Sequence, residues 1–117
     1  MSDREKQYQK AAGRNHFRLL RKVIRQIVDG VHPKKIILFG SYASGKPNLD
    51  SDVDLLVVMP SRKRPVERTI EVSKTLQVHP FPMDIMVRTP QELEKRLRLG
   101  DAFFHDVVTK GKVLYES

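Results

Sequence analysis

The sequence predicts a single α/β or α+β domain, because short apolar runs typical of strands alternate with segments of helical periodicity. A chain of 117 residues is long enough for one modest core, and its 39% hydrophobic and 31% charged residues exclude general disorder. No apolar run approaches the roughly 20 residues of a membrane span, and the polar N-terminus has no apolar signal region. We therefore expect a cytoplasmic protein. The absence of cysteine excludes disulfides and thiol chemistry.

Residues 4–29 have the periodicity of one amphipathic helix, ended by Gly30 and Pro33. Residues 1–35 hold ten basic and three acidic residues, a net charge of +7, whereas the rest holds twelve basic and eleven acidic, a net of +1. The apolar face consists of Phe17, Leu20, Ile24, Ile27 and Val28. The cationic face, within about 80° of arc, consists of Lys10, Arg14, Arg18, Arg21 and Arg25. We expect a solvated face, with binding of RNA or of an acidic protein as the alternative.

Four short segments have the composition of strands, and Gly or Pro adjoins each of them. The strands are predicted over residues 36–39, 53–59, 83–87 and 112–116, with the last at a sheet edge. Residues 45–51 form a loop by composition.

Three further helices are predicted after the second strand. Residues 66–77 form one, with Ile70, Ser73 and Leu76 facing inward. The next begins at the capping box of Thr89, Pro90 and Glu92 and ends at Gly100. The last runs through Phe103, Phe104, Val107 and Val108 and ends at Gly111. We expect the two phenylalanines to pack in the core rather than to stack on a nucleobase.

Three aspartates are the candidate metal ligands. Asp52 and Asp54 are two residues apart on the second strand, so their side chains share one face about 7 Å apart along the chain. Val53, Leu55 and Val57 then face the core. Asp84 lies within the apolar third strand, where a lone charge needs a counter-charge. Mg²⁺ suits such hard oxygen ligands and offsets their mutual repulsion.

The alternative for Asp52 and Asp54 is a pair of solvated loop-end residues, which an Asp-x-Asp pattern alone would favour. Asp84 and the glycine turn that follows the first strand favour the metal site instead. Gly40 in that turn lets backbone N–H groups approach a phosphate, and Ser41 adds a hydroxyl. A P-loop is rejected, because Pro47 occupies the position that needs Ser or Thr. The four histidines lack the spacing of a zinc site.

The combined motif resembles the minimal nucleotidyltransferases of the DNA polymerase β-like superfamily. It consists of Gly40-Ser41-x-Ala43-x-Gly45, then Ser51-Asp52-x-Asp54-Leu55, then Asp84. The resemblance covers roughly residues 34–116 and implies an α+β fold, a small mixed β-sheet flanked by helices. Residues 34–117 are then a nucleotidyltransferase domain, preceded over 1–33 by the basic helix that the motif does not include.

The resemblance also implies the chemistry of the site. Gly40 and Ser41 would hold the triphosphate of ATP, Asp52 and Asp54 would ligate two Mg²⁺ ions, and Asp84 would ligate the catalytic ion and help to deprotonate the acceptor hydroxyl. Two such ions, roughly 3.5–4 Å apart, stabilise the attacking and leaving oxygens. Members of the family are often antitoxin partners of HEPN-type toxins, and some adenylylate the toxin on tyrosine.

Two alternatives to an enzyme remain: a nucleotide- or nucleic-acid-binding module without turnover, and an antitoxin that acts by occlusion alone. Asp84 argues against a pure binder, which has little use for three anions facing a polyanion. The chain is too short to build a pocket for a small acceptor, so we expect a macromolecular acceptor, with a partner protein or a second copy supplying the surface. Self-modification at Tyr8, Tyr42 or Tyr115 is the competing outcome.

Overall fold

The computed structural model describes residues 3–43, 52–77 and 79–117, and it describes side chains from Phe17 onward within those ranges. The elements in chain order are α1 (Asp3–Val31), β1 (Lys35–Phe39), β2 (Val53–Val58), α2 (Pro65–Lys74), β3 (Met83–Arg88), α3 (Pro90–Arg98), α4 (Ala102–Lys110) and β4 (Lys112–Glu116). The predicted loop over 45–51 lies outside the described residues. In the described part, no helix has the length and apolar character required to cross a bilayer.

The four strands form one mixed sheet in the order β3-β2-β1-β4. β1 runs antiparallel to both β2 and β4, whereas β2 and β3 are parallel. A parallel pair needs a crossover connection, and α2 provides it between β2 and β3. The predicted α+β fold, with a small mixed sheet flanked by helices, is confirmed, as is β4 at an edge.

The sheet is covered on both faces, because successive side chains of a strand point to opposite sides. Val53, Leu55 and Val57 of β2 pack in the larger core with α1 and α2, as the sequence predicts for these three side chains. Leu56 and Val58 pack in a smaller core with α4, and α3 contributes partly buried leucines there. Asp54 alternates with Leu55 along the strand and shares the side of Leu56, so it belongs to the α3–α4 face.

The end of α1 differs from its prediction. The helix continues through Gly30 to Val31, and His32 then takes a left-handed conformation with φ 49°. The N–H of His32 donates to the carbonyl of Val28 at 3.0 Å. Gly30 is required for another reason, because a Cβ there would collide with the side chain of Thr75 after α2. Close packing of two helices, rather than helix termination, selects this glycine.

The inward face of α2 was also predicted incorrectly. Ile70 is 49% exposed, whereas Arg68 and Val72 are buried. Residues four apart share a helix face, so burial of Arg68 and Val72 turns Ile70 toward solvent. Leu76 is buried as predicted, but it lies beyond the end of the helix.

Arg68 is buried because it makes a set of polar contacts between α2 and α3. Its Nε donates to the carbonyl of Lys63 at 2.7 Å, and its Nη1 lies 2.6 Å from Oε1 of Glu92. The same Glu92 oxygen accepts from the N–H of Thr89 at 2.8 Å, and Thr89 Oγ1 accepts from the N–H of Glu92 at 3.1 Å. The predicted capping box is confirmed, and its glutamate also neutralises a buried guanidinium.

We expect Glu92→Gln to lower the free energy of unfolding at pH 7 by about 1–2 kcal/mol, because the buried guanidinium of Arg68 loses its counter-charge. The effect is no larger because the Glu92 side chain is partly exposed, and solvent screens its charge. Burial raises the pKa of Glu92, but hydrogen bonds from Thr89 and Arg68 and the charge of Arg68 outweigh it, so the pKa lies below the usual value of about 4.5. A lowered folded-state pKa stabilises the protein at higher pH, and that contribution is lost as the pH falls through the lowered value.

Urea denaturation from pH 3 to pH 7 measures this, with Glu94→Gln on the same helix as the control. The gap between wild type and Glu92→Gln should shrink as the solution becomes acidic. A gap that is constant with pH, or equal to that of Glu94→Gln, would contradict the ion pair.

Candidate active site

The chain turns sharply at the end of β1, where Gly40 has φ +76°. The N–H of Ala43 donates to the carbonyl of Gly40 at 3.1 Å and closes the turn. A Cβ on Gly40 would collide with Oδ2 of Asp54 on the neighbouring strand. The left-handed backbone therefore favours glycine, and a side chain at this position would push the Asp54 carboxylate aside.

β2 and β3 bring two of the predicted aspartates together. Asp54 is the register partner of Asp84 in the parallel pair, and adjacent strands lie about 4.8 Å apart. On its other side Asp54 is opposite Phe39, the last residue of β1. Asp52 directly precedes β2, whose start is fixed by a 3.0 Å hydrogen bond from the N–H of Val53 to the carbonyl of Pro82. The three aspartates thus meet at one end of the sheet, beside the glycine turn.

The carboxyl groups interact electrostatically. Burial raises the pKa of Asp54, and the negative charges of Asp84 and then Asp52 raise it further. Asp54 is half-buried, whereas Asp52 and Asp84 are exposed. The site therefore gathers like charges around the least solvated carboxylate, an arrangement that favours a proton or a cation.

The donor set suits a hard divalent cation, since all three side chains offer carboxylate oxygens, and the absence of a side chain at Gly40 leaves room for that of Asp54. Within 17–43, 52–77 and 79–117, however, no group of three His, Cys, Asp or Glu side chains is drawn together as a ligand shell. Uncompensated anions repel one another, so we expect bound cations to bring these carboxylates closer.

The predicted site residues are placed as follows. Gly40, Asp54 and Asp84 lie together, Asp52 adjoins them, and Ser41 is a half-buried residue of the glycine turn. The flanking motif residues Gly45 and Ser51, and Pro47 of the rejected P-loop, lie outside the described residues.

Sequence reasoning did not identify Phe39 as a neighbour of the central carboxylate. Its cross-strand pairing with Asp54 depends on the antiparallel register of β1 and β2. The motif gives no direct signal for that register.

Phe103 also differs from its prediction, which placed both phenylalanines of α4 in the core. Phe104 is buried at 6% exposure, but Phe103 is 47% exposed. The ring centroids of Phe103 and Phe39 are 5.7 Å apart.

We expect Gly40→Ala to destabilise the fold more than Gly100→Ala does. Gly100 has the same φ of +76°, and no atom lies within 4 Å of the position that a Cβ would take there. Gly100→Ala should therefore show backbone strain alone, about 1 kcal/mol. Gly40→Ala adds the collision with Asp54. Urea denaturation of both variants measures the difference.

The control is Gly40→Ala in an Asp54→Ala background, where the colliding oxygen is absent. In that background, the loss of unfolding free energy caused by Gly40→Ala should fall to the loss caused by Gly100→Ala in the wild type. If the two glycine variants cost the same in the wild-type background, Gly40 does not lie against the carboxylate.

The structural comparisons find the same fold in solved proteins. A candidate nucleotidyltransferase from Sulfolobus solfataricus superimposes with a TM-score of 0.66 at 16% identity, covering 91% of this chain and 85% of that one. A chain of a toxin–antitoxin structure with AMP-PNP superimposes with a TM-score of 0.57 at 26% identity, covering 83% of this chain and 73% of that one. No curated protein sequence matches this chain.

The family comparison covers the glycine turn and all three aspartates. Residues 18–109 match the family model of the nucleotidyltransferase domain. The matched region runs from the middle of α1 to the end of α4 and makes up most of the chain. This chain therefore belongs to the nucleotidyltransferase domain family.

Proposed function

We propose that this protein transfers AMP from ATP to a hydroxyl group of a protein partner, and that the partner is a HEPN-type toxin. The observation that carries the proposal is the position of Asp54, in register with Asp84 and against the turn at Gly40. A triphosphate bound at that turn lies beside the carboxylates. The family match supports nucleotidyl transfer, and the toxin–antitoxin structure with AMP-PNP supports both an adenine nucleotide and a protein partner.

The site residues have three roles in this proposal: binding the triphosphate, holding the metal ions and accepting the proton. The backbone of Gly40 and the hydroxyl of Ser41 bind the triphosphate. Asp52, Asp54 and Asp84 would hold two Mg²⁺ ions, which would offset phosphate charge and acidify the acceptor hydroxyl. Asp84 accepts the proton of that hydroxyl. The acceptor oxygen then bonds to the α-phosphorus, and the bond from that phosphorus to pyrophosphate breaks.

The basic helix offers a surface for an acidic partner. Arg18, Arg21 and Arg25 are exposed on α1, and the Arg21 guanidinium lies 5.8 Å from the ring centroid of Phe17. Phe17 is 57% exposed, so the predicted apolar face of α1 is only partly covered by the fold. An exposed aromatic ring next to cations suits a partner with an apolar, acidic surface.

The competing functions are a binding module without turnover and an antitoxin that acts by occlusion. Neither needs a half-buried carboxylate in register with a second one, because that arrangement repels the phosphates that a binder must attract. Self-modification at Tyr42 is opposed by burial, which raises the pKa of its hydroxyl. The side chain of Tyr8 lies outside the described part of the chain.

We expect Asp84→Asn to abolish nucleotide transfer while ATP binding in Mg²⁺ weakens by only a few-fold, because Asp52 and Asp54 remain. Asp54→Asn should weaken both binding and transfer. Calorimetric titration of ATP, in Mg²⁺ and in chelator, together with a radiolabelled transfer assay, measures the split. The exposed Asp29→Asn on α1 is the matched control.

Equal ATP affinity in Mg²⁺ and in chelator would exclude the metal model. Wild-type transfer by Asp84→Asn would remove the third carboxylate from the chemistry. ATP binding without transfer to any acceptor, in wild type and variants alike, would favour the binding module.

We expect the product of the neighbouring gene to co-purify with this protein and to gain the mass of one AMP when ATP and Mg²⁺ are added. Intact-protein and peptide mass spectrometry locate the modified hydroxyl. The Asp84→Asn protein, purified with the same partner, is the control and should leave the partner unmodified. Efficient modification of a free antibiotic or nucleotide in the absence of any partner would refute a protein acceptor.

A further inference from the structure

A cavity of about 320 Å³ lies between the glycine turn and α4. Its lining residues are Phe39, Gly40, Ala43, Phe103, Asp106, Val107, Lys110 and Gly111. Its volume is at the lower end of the range for ligand sites, which are mostly apolar with a few polar groups. Here Asp106 and Lys110 are exposed and form an ion pair at 3.7 Å, while most other lining residues are apolar.

The cavity adjoins the carboxylate site directly. Gly40 lines it and also lies against Asp54, so one residue borders both spaces. Phe39 lines it and is the cross-strand partner of Asp54, and cross-strand partners project from the same face of a sheet. A ligand with its phosphates at the glycine turn therefore has this cavity within reach of its remaining atoms.

Phe103 is exposed in a way that core packing does not require. Phe104 and Val107 already anchor α4 to the smaller core, at 6% and 3% exposure, whereas Phe103 is 47% exposed. Phe39 and Phe104 meet its ring at 88° and 83°, so both neighbours lie nearly perpendicular to it. A half-exposed apolar ring on the wall of a cavity offers a surface for a planar group.

We propose that this cavity holds the nucleobase of the bound nucleotide and that Phe103 packs against the base. This inference rests on the proposed function, because it assumes that the triphosphate binds at the glycine turn. Contact between a base and an aromatic side chain strengthens nucleotide binding and depends little on which base is present. The contact fixes the nucleoside, and with it the direction in which the triphosphate lies across Asp54.

The test compares ATP with inorganic tripolyphosphate, which has the phosphates but no base. Dissociation constants of both are measured by calorimetry in Mg²⁺ for wild type, Phe103→Ala and Phe103→Tyr. Phe103→Ala should weaken ATP binding about tenfold, which corresponds to about 1.4 kcal/mol, and should leave tripolyphosphate binding unchanged. Phe103→Tyr keeps an aromatic ring and should bind ATP as wild type does.

The matched control is Val108→Ala, since Val108 is 40% exposed on the same helix and does not line the cavity. It should change neither dissociation constant. If Phe103→Ala weakens the binding of ATP and of tripolyphosphate equally, Phe103 has a structural role. If Phe103→Ala leaves ATP binding unchanged, the base does not bind in this cavity. Either result overturns the subsite while leaving the proposed function intact.

Failure of the proposed function has a different signature. A wild-type protein that binds neither ligand overturns both proposals. If Phe103→Ala retains ATP binding but loses the co-purifying partner, the exposed ring belongs to a protein interface and the base subsite is again excluded. Thermal unfolding of each variant confirms that the binding data come from folded protein.

Discussion

The parallel register of β2 and β3 sets Asp54 beside Asp84, and the rest of the site depends on it. The apolar residues of β2 enforce this register. Val53, Leu55 and Val57 are buried on one face and Leu56 and Val58 on the other, and a slip of one residue would move Asp54 into a core. The cores therefore hold two like charges close together, although the carboxylates themselves oppose that arrangement. Burial raises the pKa of Asp54, and repulsion from Asp84 and Asp52 raises it further.

The glycine turn adds a second constraint to the same carboxylate. Because Gly40 has no side chain, the backbone at the end of β1 reaches Asp54 directly. The backbone groups proposed to bind phosphate and the carboxylate oxygens proposed to bind cations thus come from adjacent strands of one sheet. The antiparallel pairing of β1 and β2, fixed by buried Ile36, Ile37 and Leu38, aligns the two halves of the site.

Most of the elements could be predicted from the sequence, because their signals are local. The alternation around Val53 predicts its strand and inward face, and Thr89, Pro90 and Glu92 predict the start of α3. Contacts between distant segments could not be predicted in this way. Arg68 is buried because Glu92, 24 residues later, neutralises it, and a single helix pattern favoured Ile70 instead.

The candidate site shows the same division between local and distant information. The motif identifies Gly40 and the aspartates from short local patterns. Gly40 directly follows an apolar strand, Asp52 and Asp54 are two residues apart, and Asp84 lies within an apolar run. Phe39 and Phe103 come together only through the pairing of β1 with β2 and the packing of α4, so the sequence does not show that they line one cavity. The misassigned end of α1 has a similar origin: Gly30 makes room for the side chain of Thr75, which follows α2, and does not end its own helix.

Strand order has a further consequence for Asp84. In the sheet formed by the described strands, β3 is an outer strand with β2 on one side only, and Asp84 on it is exposed. A carboxylate on an inner strand can be approached only from above or below the sheet, whereas the flank of an outer strand also admits a convex, folded surface. In the function proposed above, a hydroxyl on such a surface reaches Asp84 along this flank without first entering a pocket.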